Sequence, residues 1–399
     1  MWRRLVARLA TPFSRGREWH RAFPLLILGL LAACAPNVAG RAPVSQGSQP
    51  AIAPAAPQTT KVALLLPLTG SRASYGQPLL EAAQLALFDL AGNQFELLPR
   101  DTKGTPAGAA NAARQAMAEG ARLIIGPLFR DEVAAVRPVT QAAGVNVLAF
   151  SNDASLAGNG IYVLGLTPAD HVNRVVGYAR SQGITRYTAL VPRSAYGDMV
   201  VSALQGSVRR LGGATAQVER YEPSLADPGA VAQQVAQSPN RPQAVLMSEG
   251  APRVQGLAGA LADNGVAQPQ VRFLGAGLWD DPAIAQEPAL QGAWFAGPSP
   301  QLRRDFEARF EALYGKKPPP VASLAYDATA IAAMLNQPGN PQPYGRDALQ
   351  GPNGFEGVDG LFRLTPGGLA ERSLAVLEVT PGGPRVLDPA PRSFDVLGQ

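Results

Sequence analysis

The repeated alternation of short apolar runs with amphipathic segments constrains the fold of this chain more than any other feature. Four strand-length runs follow one another from Lys61, and they read KVALLL, FELLPRD, RLIIG and NVLAF. Helical periodicity follows them; after the first run, Leu79, Ala83, Leu87 and Leu90 fall on one stripe. Because strands that are apolar throughout are buried on both faces, this series predicts a parallel sheet with helices on both sides.

A second series of the same kind follows without an intervening linker. Its predicted strands read IYVLGL, YTALV, ATAQVE, QAVLMS and VRFLGAG. The two series predict an α/β fold of two lobes within residues 59–399, each lobe a parallel sheet with helices on both faces. We expect one lobe at about 59–164 and 278–354 and the other at about 165–277 and 355–399. The late segments FEGVDGLFRL and SLAVLEV are typical of a terminal β-hairpin.

The N-terminal segment predicts export. The apolar run before Cys34 has nine residues, whereas a membrane-spanning helix needs roughly 20. Six arginines and one glutamate precede it, as in the basic n-region of a secretory signal peptide. Leu31-Ala32-Ala33-Cys34 resembles the bacterial lipobox, which implies cleavage of residues 1–33 and lipidation (palmitate among the acyl chains) of Cys34, the only cysteine. Ala35 in the next position points to the outer membrane by the same resemblance.

Composition after the predicted cleavage excludes several classes of protein. The formal net charge of the whole chain is +5, and residues 1–33 carry all of it, so the mature chain is near neutral and nucleic-acid binding loses its support. One histidine, His171, remains, which excludes a His/Cys metal site and a Cys-His nucleophile pair. No phosphate- or dinucleotide-binding glycine motif is present, and we expect no cofactor. Residues 34–58, rich in proline and poor in charge, predict a lipidated disordered tether.

Several short segments together resemble the type I periplasmic binding protein fold, whose familiar members are the branched-chain amino-acid receptors. The resemblance covers roughly residues 60–336, and the segments that carry it are KVALLLPLTG, DTKGTP, LIIGPL, GVNVLAFSND, AYGD, FLGAG and AYDATA. LLLPLTG, GPL and VLAFSND are closer still to the penicillin-binding protein activator lipoproteins (LpoA/YraM-like). That narrower resemblance implies an outer-membrane lipoprotein without a transport role, whose partner is a peptidoglycan synthase of the class A penicillin-binding type.

The resemblance also shows which receptor contacts this sequence lacks. The position of the receptor serine that binds the ligand carboxylate is matched by Arg130, and the receptor tyrosine and acid fall near Gly250 and Gly277. The loop after the fourth strand reads Ser151-Asn152-Asp153, and only Tyr196 matches in kind. A zwitterion buried without partners binds poorly, so we expect no ordinary amino-acid ligand.

The candidate cleft residues follow the carboxyl ends of predicted strands, where open α/β sheets bind ligands. They are Arg130, Ser151, Asn152, Asp153, Tyr196, Glu249 and Trp279. Simpler interpretations stay open: an ion pair at a helix start for Arg130, a helix cap for the Ser-Asn-Asp loop, a wedge for Tyr196 and surface packing for Trp279. His171, beside an apolar stripe, is expected to be an exposed helix residue.

Two functions remain from the sequence. The first is a non-enzymatic lipoprotein that regulates a peptidoglycan synthase by contact, and the second is a substrate-binding lipoprotein of an ABC importer with an altered ligand. An enzyme is disfavoured because the chain has no G-x-S-x-G motif and no paired catalytic base, and Asp280 and Asp281 are adjacent in sequence.

Overall fold

The computed structural model describes residues 59–91, 95–224 and 227–394. The predicted signal peptide, Cys34 and the tether lie outside these residues. Two sheets, each flanked by helices, form the body of the described part, and this confirms the predicted α/β fold class. Within the described residues, the helices are all too short or too polar to cross a membrane.

The first sheet is entirely parallel and has the strand order β2-β1-β3-β4-β5. Its strands are Thr60–Leu66 (β1), Phe95–Asp101 (β2), Ala121–Ile125 (β3), Asn146–Ala149 (β4) and Ile161–Val163 (β5). The helices that connect them are Ala73–Ala86 (α1), Pro106–Ala118 (α2) and Arg130–Ala143 (α3). A π-helical turn, Leu87–Ala91, extends α1.

Strand β1 shows why the first sheet is buried on both faces. Val62, Leu64 and Leu66 pack into one hydrophobic cluster, and the alternate residues Ala63 and Leu65 pack into another. Successive side chains of a strand point to opposite faces, so a continuous apolar run fills the core on both sides of the sheet.

The second sheet has seven strands in the order β15-β14-β10-β9-β8-β6-β7. These are Arg186–Pro192 (β6), Ala214–Tyr221 (β7), Ala244–Met247 (β8), Arg272–Gly275 (β9), Trp294–Gly297 (β10), Ala375–Glu378 (β14) and Arg385–Asp388 (β15). Its helices are Pro168–Ser181 (α4), Ala195–Arg210 (α5), Gly229–Ala236 (α6), Arg253–Asp263 (α7) and Pro282–Ala285 (α8). Strands β6 to β10 run parallel, and β14 and β15 add an antiparallel edge.

The remaining elements cover the first sheet. They are Pro300–Tyr314 (α9), Ala322–Leu335 (α10), Arg346–Leu349 (α11), Phe355–Gly357 (β11), Gly360–Leu364 (β12) and Ala370–Arg372 (β13). The three strands form a small antiparallel sheet. Side chains of β11 and β12 pack into the same hydrophobic cluster as β1, α1 and α10.

The predicted lobe boundaries differ from the observed pairing in two places. Strand β10 lies in the second sheet, although segment 278–354 was expected in the first lobe. The segment 355–372 packs with the first sheet, although it was expected in the second lobe. The predicted terminal hairpin is also wrong, because β12 pairs with β13 whereas β14 pairs with β10. The chain therefore crosses between the two sheets after β5, after β10 and after β13.

Side-chain caps fix the helix that follows the first crossover. The Thr167 and Asp170 side chains of α4 each accept a hydrogen bond from the other residue's backbone N–H, at 3.4 and 2.8 Å, and Pro168 occupies the first turn. Such a capping box satisfies backbone donors that a helix start leaves without partners. The start of α4 is thereby held at the junction between the two sheets.

Candidate functional site

A cleft of about 980 Å³ opens between the two sheets. Residues following strands of the first sheet form one wall, among them Phe129, Arg130 and the loop after β4. Residues from the second sheet form the opposite wall, among them Tyr196 and Met199 of α5. Parallel strands end at the same edge of a sheet, and their following loops therefore meet at this cleft.

The polar side chains of the first wall contact one another around Asp153. The Arg130 Nε atom lies 2.9 Å from Asp153 Oδ2, and the Arg130 side chain is 68% exposed. Asp153 also accepts hydrogen bonds from the backbone N–H and the hydroxyl of Ser155, at 2.9 and 2.7 Å. Ser151 Oγ accepts from the Asp153 N–H at 3.2 Å. These contacts match the ion-pair and helix-cap interpretations, and they pair the Arg130 guanidinium with a carboxylate of its own wall.

Tyr196 stands on the opposite wall in the first turn of α5. Ser194 caps this helix by accepting a hydrogen bond from the Gly197 N–H at 3.2 Å. Burial, and next the negative charge of Glu249, raise the pKa of Tyr196 to about 12. The phenol is therefore neutral at physiological pH, and it presents a ring and a hydroxyl to the cleft.

Glu249 and Trp279 lie behind the cleft wall and do not line it. The Trp279 side chain is 2% exposed, and its indole N–H donates to the Glu249 carbonyl oxygen at 2.9 Å. The Glu249 carboxylate accepts a hydrogen bond from the Tyr221 hydroxyl at 3.2 Å. The structure thus brings five of the seven candidate residues to the cleft and gives the other two packing roles. That the five bind a ligand stays a prediction.

The expectation that His171 is exposed is wrong. The residue is 7% exposed, and its Nδ1–H donates to the Ala296 carbonyl oxygen at 2.9 Å. The ring lies against Gly277, where a Cβ atom would come within 2.3 Å of it. The cause is tertiary: α4 packs against the end of β10, and a glycine leaves room for the ring. Burial lowers the pKa of His171, so the imidazole is neutral, and it lines the cleft.

Sequence reasoning missed a buried charge cluster at the floor of the cleft. Arg303 of α9 pairs with Asp359 at 2.6 Å, and Asp280 lies 3.9 Å from the same guanidinium. The Ser323 hydroxyl donates to Asp359 at 2.6 Å. Burial, and next the charge of Asp359, raise the pKa of neighbouring Asp327 to about 7. Because the members come from separate elements far apart in the chain, no local pattern could have shown them.

Asp280 and Asp281 have separate roles despite their adjacency. Asp280 faces Arg303, whereas Asp281 caps α8 by accepting a hydrogen bond from the Ala283 N–H at 2.8 Å. No grouping of three or more histidine, cysteine, aspartate or glutamate side chains suited to a metal ion occurs in the described part of the chain.

Two helix-flanked sheets with a cleft at their crossovers define a two-lobed binding protein. The family model for periplasmic binding proteins matches residues 59–384, and the chain belongs to that family. Among solved structures of this fold is a branched-chain amino acid ABC transporter periplasmic ligand-binding protein from Burkholderia xenovorans. That structure has a TM-score of 0.71 and 19% identity, over 86% of this chain and 97% of that one. A solute-binding protein from R. palustris, in complex with 4-hydroxybenzoate, has a TM-score of 0.62 and 19% identity, over 86% of this chain and 100% of that one.

Curated relatives confirm the narrower resemblance over part of the chain. The penicillin-binding protein activator LpoA of Mannheimia succiniciproducens is 26% identical over 212 residues, which are 52% of this chain and 36% of that protein. The LpoA protein of Klebsiella pneumoniae is 32% identical over 108 residues, which are 27% of this chain and 15% of that protein. The matched part therefore spans well under half the length of these relatives.

Proposed function

We propose that this protein is a non-enzymatic cell-envelope lipoprotein that activates a peptidoglycan synthase of the class A penicillin-binding type by contact. Cys34 would carry the lipid that anchors it, in the outer membrane by the lipobox rule. Residues 34–58 would give the folded part a reach of about 25–30 Å, as expected for a flexible chain of that length. Stable attachment follows from several acyl chains on one cysteine.

The observation that carries this proposal is an ion pair in the cleft wall. It lies at the position where an amino-acid receptor binds the carboxylate of its ligand. The matching position is Arg130, and its guanidinium is already paired with the Asp153 carboxylate at 2.9 Å. A receptor for amino acids needs that position free, because a buried carboxylate without a partner is costly. The similarity to proteins named penicillin-binding protein activators supports a contact role in place of a transport role.

An ABC importer's substrate-binding protein is the second candidate. The cleft of about 980 Å³ favours it, since ligand pockets for drug-sized molecules have comparable volumes. Structural neighbours named as transporter components support the same function. The two candidates differ in what they bind: a receptor closes on a small molecule, whereas an activator binds a synthase with its cleft open or closed.

Cross-linking in intact cells tests the proposal. A photoreactive residue placed at exposed positions of the folded part would trap the partner, which mass spectrometry then identifies. We expect a class A synthase among the trapped proteins, with a Cys34→Ala variant giving less of it because the protein is no longer anchored. Capture of importer permease subunits in its place would favour the second candidate.

A further inference from the structure

The charged and polar side chains of the cleft differ in whether they already have an ion-pair or hydrogen-bond partner within the protein. Each of the two arginines that line it faces a carboxylate, Arg130 that of Asp153 at 2.9 Å and Arg303 that of Asp359 at 2.6 Å. The buried Nε of Arg303 has no hydrogen-bond partner among the described residues. Asp280 is different, because the Arg303 guanidinium lies 3.9 Å away, beyond hydrogen-bond distance, and the carboxylates of Asp359 and Asp281 add negative charge nearby. Burial raises the pKa of the Asp280 carboxyl, which is the behaviour of a desolvated carboxylate short of partners.

His171 supplies a second unmatched acceptor on the same side of the cleft. Its Nδ1 carries the proton and donates to Ala296, so Nε2 of the neutral ring is a lone-pair acceptor. No described residue donates a hydrogen bond to Nε2, although the side chain is more than nine-tenths buried and lines the cleft. Gly277 packs against the His171 ring and begins a 3-10 turn, Gly277–Trp279. Asp280 follows this turn directly, so the turn places it on the same side of the cleft as His171.

The rest of the lining is apolar and partly aromatic. Tyr75 is 52% exposed on the first wall, where its ring meets Phe129 edge-on at 5.6 Å. Leu278 is 53% exposed on the second wall, which Tyr196 and Met199 also line. Large apolar side chains exposed on both walls of one cleft mark a surface suited to an apolar ligand.

We propose that this cleft binds an organic cation with an aromatic or other apolar body and no carboxylate. Asp280 receives the cationic head as a charge-assisted hydrogen-bond acceptor, and His171 Nε2 accepts a further N–H from it. The apolar body lies between Tyr75 and Tyr196. A carboxylate ligand is disfavoured because each arginine already faces a carboxylate, and Asp280 shares the Arg303 guanidinium with Asp359 and so adds a further negative charge.

A matched set of four probes tests the ligand class on the full chain: phenethylamine, 2-phenylethanol, 3-phenylpropionate and phenylalanine. They share a ring and chain length and differ in the charge of the head. Ligand-observed NMR at millimolar concentration should rank phenethylamine first, the alcohol second and both carboxylates last. Stronger binding of either carboxylate, or no binding of phenethylamine, would overturn the proposal.

Variants then test the residues. Asp280→Asn should weaken phenethylamine about ten-fold or more and leave 2-phenylethanol nearly unchanged, as expected for loss of a charged acceptor. Asp305→Asn removes the charge of an exposed carboxylate on α9 that does not line the cleft, and it should change binding less than about two-fold. His171→Asn retains a donor toward Ala296 but loses Nε2, and it should weaken amine and alcohol alike, by about three-fold.

The alcohol also controls for folding, because a misfolded Asp280→Asn protein would lose both probes. In that event the Asp280→Glu variant, which retains the negative charge, is tested in place of Asp280→Asn. It should bind the amine more strongly than the alcohol, as the wild type does. Equal loss of amine binding in the Asp280→Asn and Asp305→Asn proteins would contradict the assigned role of Asp280. The readout is direct binding of a small molecule, so it is independent of any synthase contact.

Discussion

Replacing Asp327 by Asn tests the buried charge cluster beneath the cleft. The Asp327 side chain is 2% exposed, and burial, followed by the charge of Asp359, raises its pKa from 3.8 to about 7. The folded-state pKa lies above the unfolded-state value, so between these values the folded state holds a proton that the unfolded state releases. The stabilising contribution of this carboxyl is therefore fully present below about pH 3.8 and is lost as the pH rises through 7.

The magnitude follows from the two pKa values. Each pKa unit corresponds to about 1.4 kcal/mol, so the whole interval corresponds to about 4 kcal/mol in the free energy of unfolding. Between about pH 5 and about pH 7 the change is about 2 kcal/mol, because titration is incomplete near the upper end. An asparagine does not titrate, and its amide oxygen can still accept the hydrogen bond that the Val358 N–H gives Asp327 at 2.8 Å.

Urea unfolding followed by circular dichroism at a series of pH values measures this effect. The free energy of unfolding of Asp327→Asn minus that of the wild type should rise by about 2 kcal/mol from about pH 5 to about pH 7. Subtracting the wild-type free energy of unfolding removes the contribution of the other titrating groups, which both proteins share. Asp305→Asn, a variant of an exposed carboxylate on α9, is the control and should follow the wild type. A difference that is flat or that falls with rising pH would refute the reasoning.

Four further predictions concern packing, ligand choice and anchoring. Gly357→Ala should lower the free energy of unfolding by about 1–3 kcal/mol, because a Cβ atom there would lie 2.4 Å from Asp327 Oδ2. Gly177→Ala, inside α4 with no atom within 4 Å of the new methyl, should raise it by about 0.5–1 kcal/mol, and urea titrations check both. Calorimetric titration with leucine, isoleucine or valine should give no binding, and micromolar affinity for any of them would contradict the lost receptor contacts. Cys34→Ala should leave the protein unlipidated, whereas a free thiol at Cys34 in the intact mass of the native protein would disprove anchoring.

The sheets could be predicted because the residue pattern of each strand shows which of its faces are buried. In β1 the consecutive residues Leu64 and Leu65 face different hydrophobic clusters, and both sides of the strand are apolar in the sequence. The lobe membership of later strands could not be predicted in this way. Strand β10 is a short apolar run like the others, and only its pairing with β9 and β14 assigns it to the second sheet.

The cleft could be predicted in part, for a related physical reason. Arg130 and the Ser-Asn-Asp loop come within a few residues of the ends of β3 and β4, and the rule that ligands bind at strand ends locates them. His171 could not be located, because its burial depends on Gly277 and on the Ala296 carbonyl, both more than a hundred positions away. The pairing of Arg303 with Asp359 is likewise a property of the assembled fold.

Reconstitution of synthase activity tests the central claim most directly. The full chain would be added to each class A penicillin-binding protein of the same cell, with glycan polymerisation and peptide cross-linking followed over time. We predict that one synthase binds the chain and works faster, by a coupling of about 1–3 kcal/mol, or roughly five- to 150-fold in an equilibrium constant. Tyr196→Ala, which alters the cleft, should leave this activation in place if an outer surface makes the contact. The claim would be contradicted if no synthase binds or changes its rate while a small molecule closes the cleft.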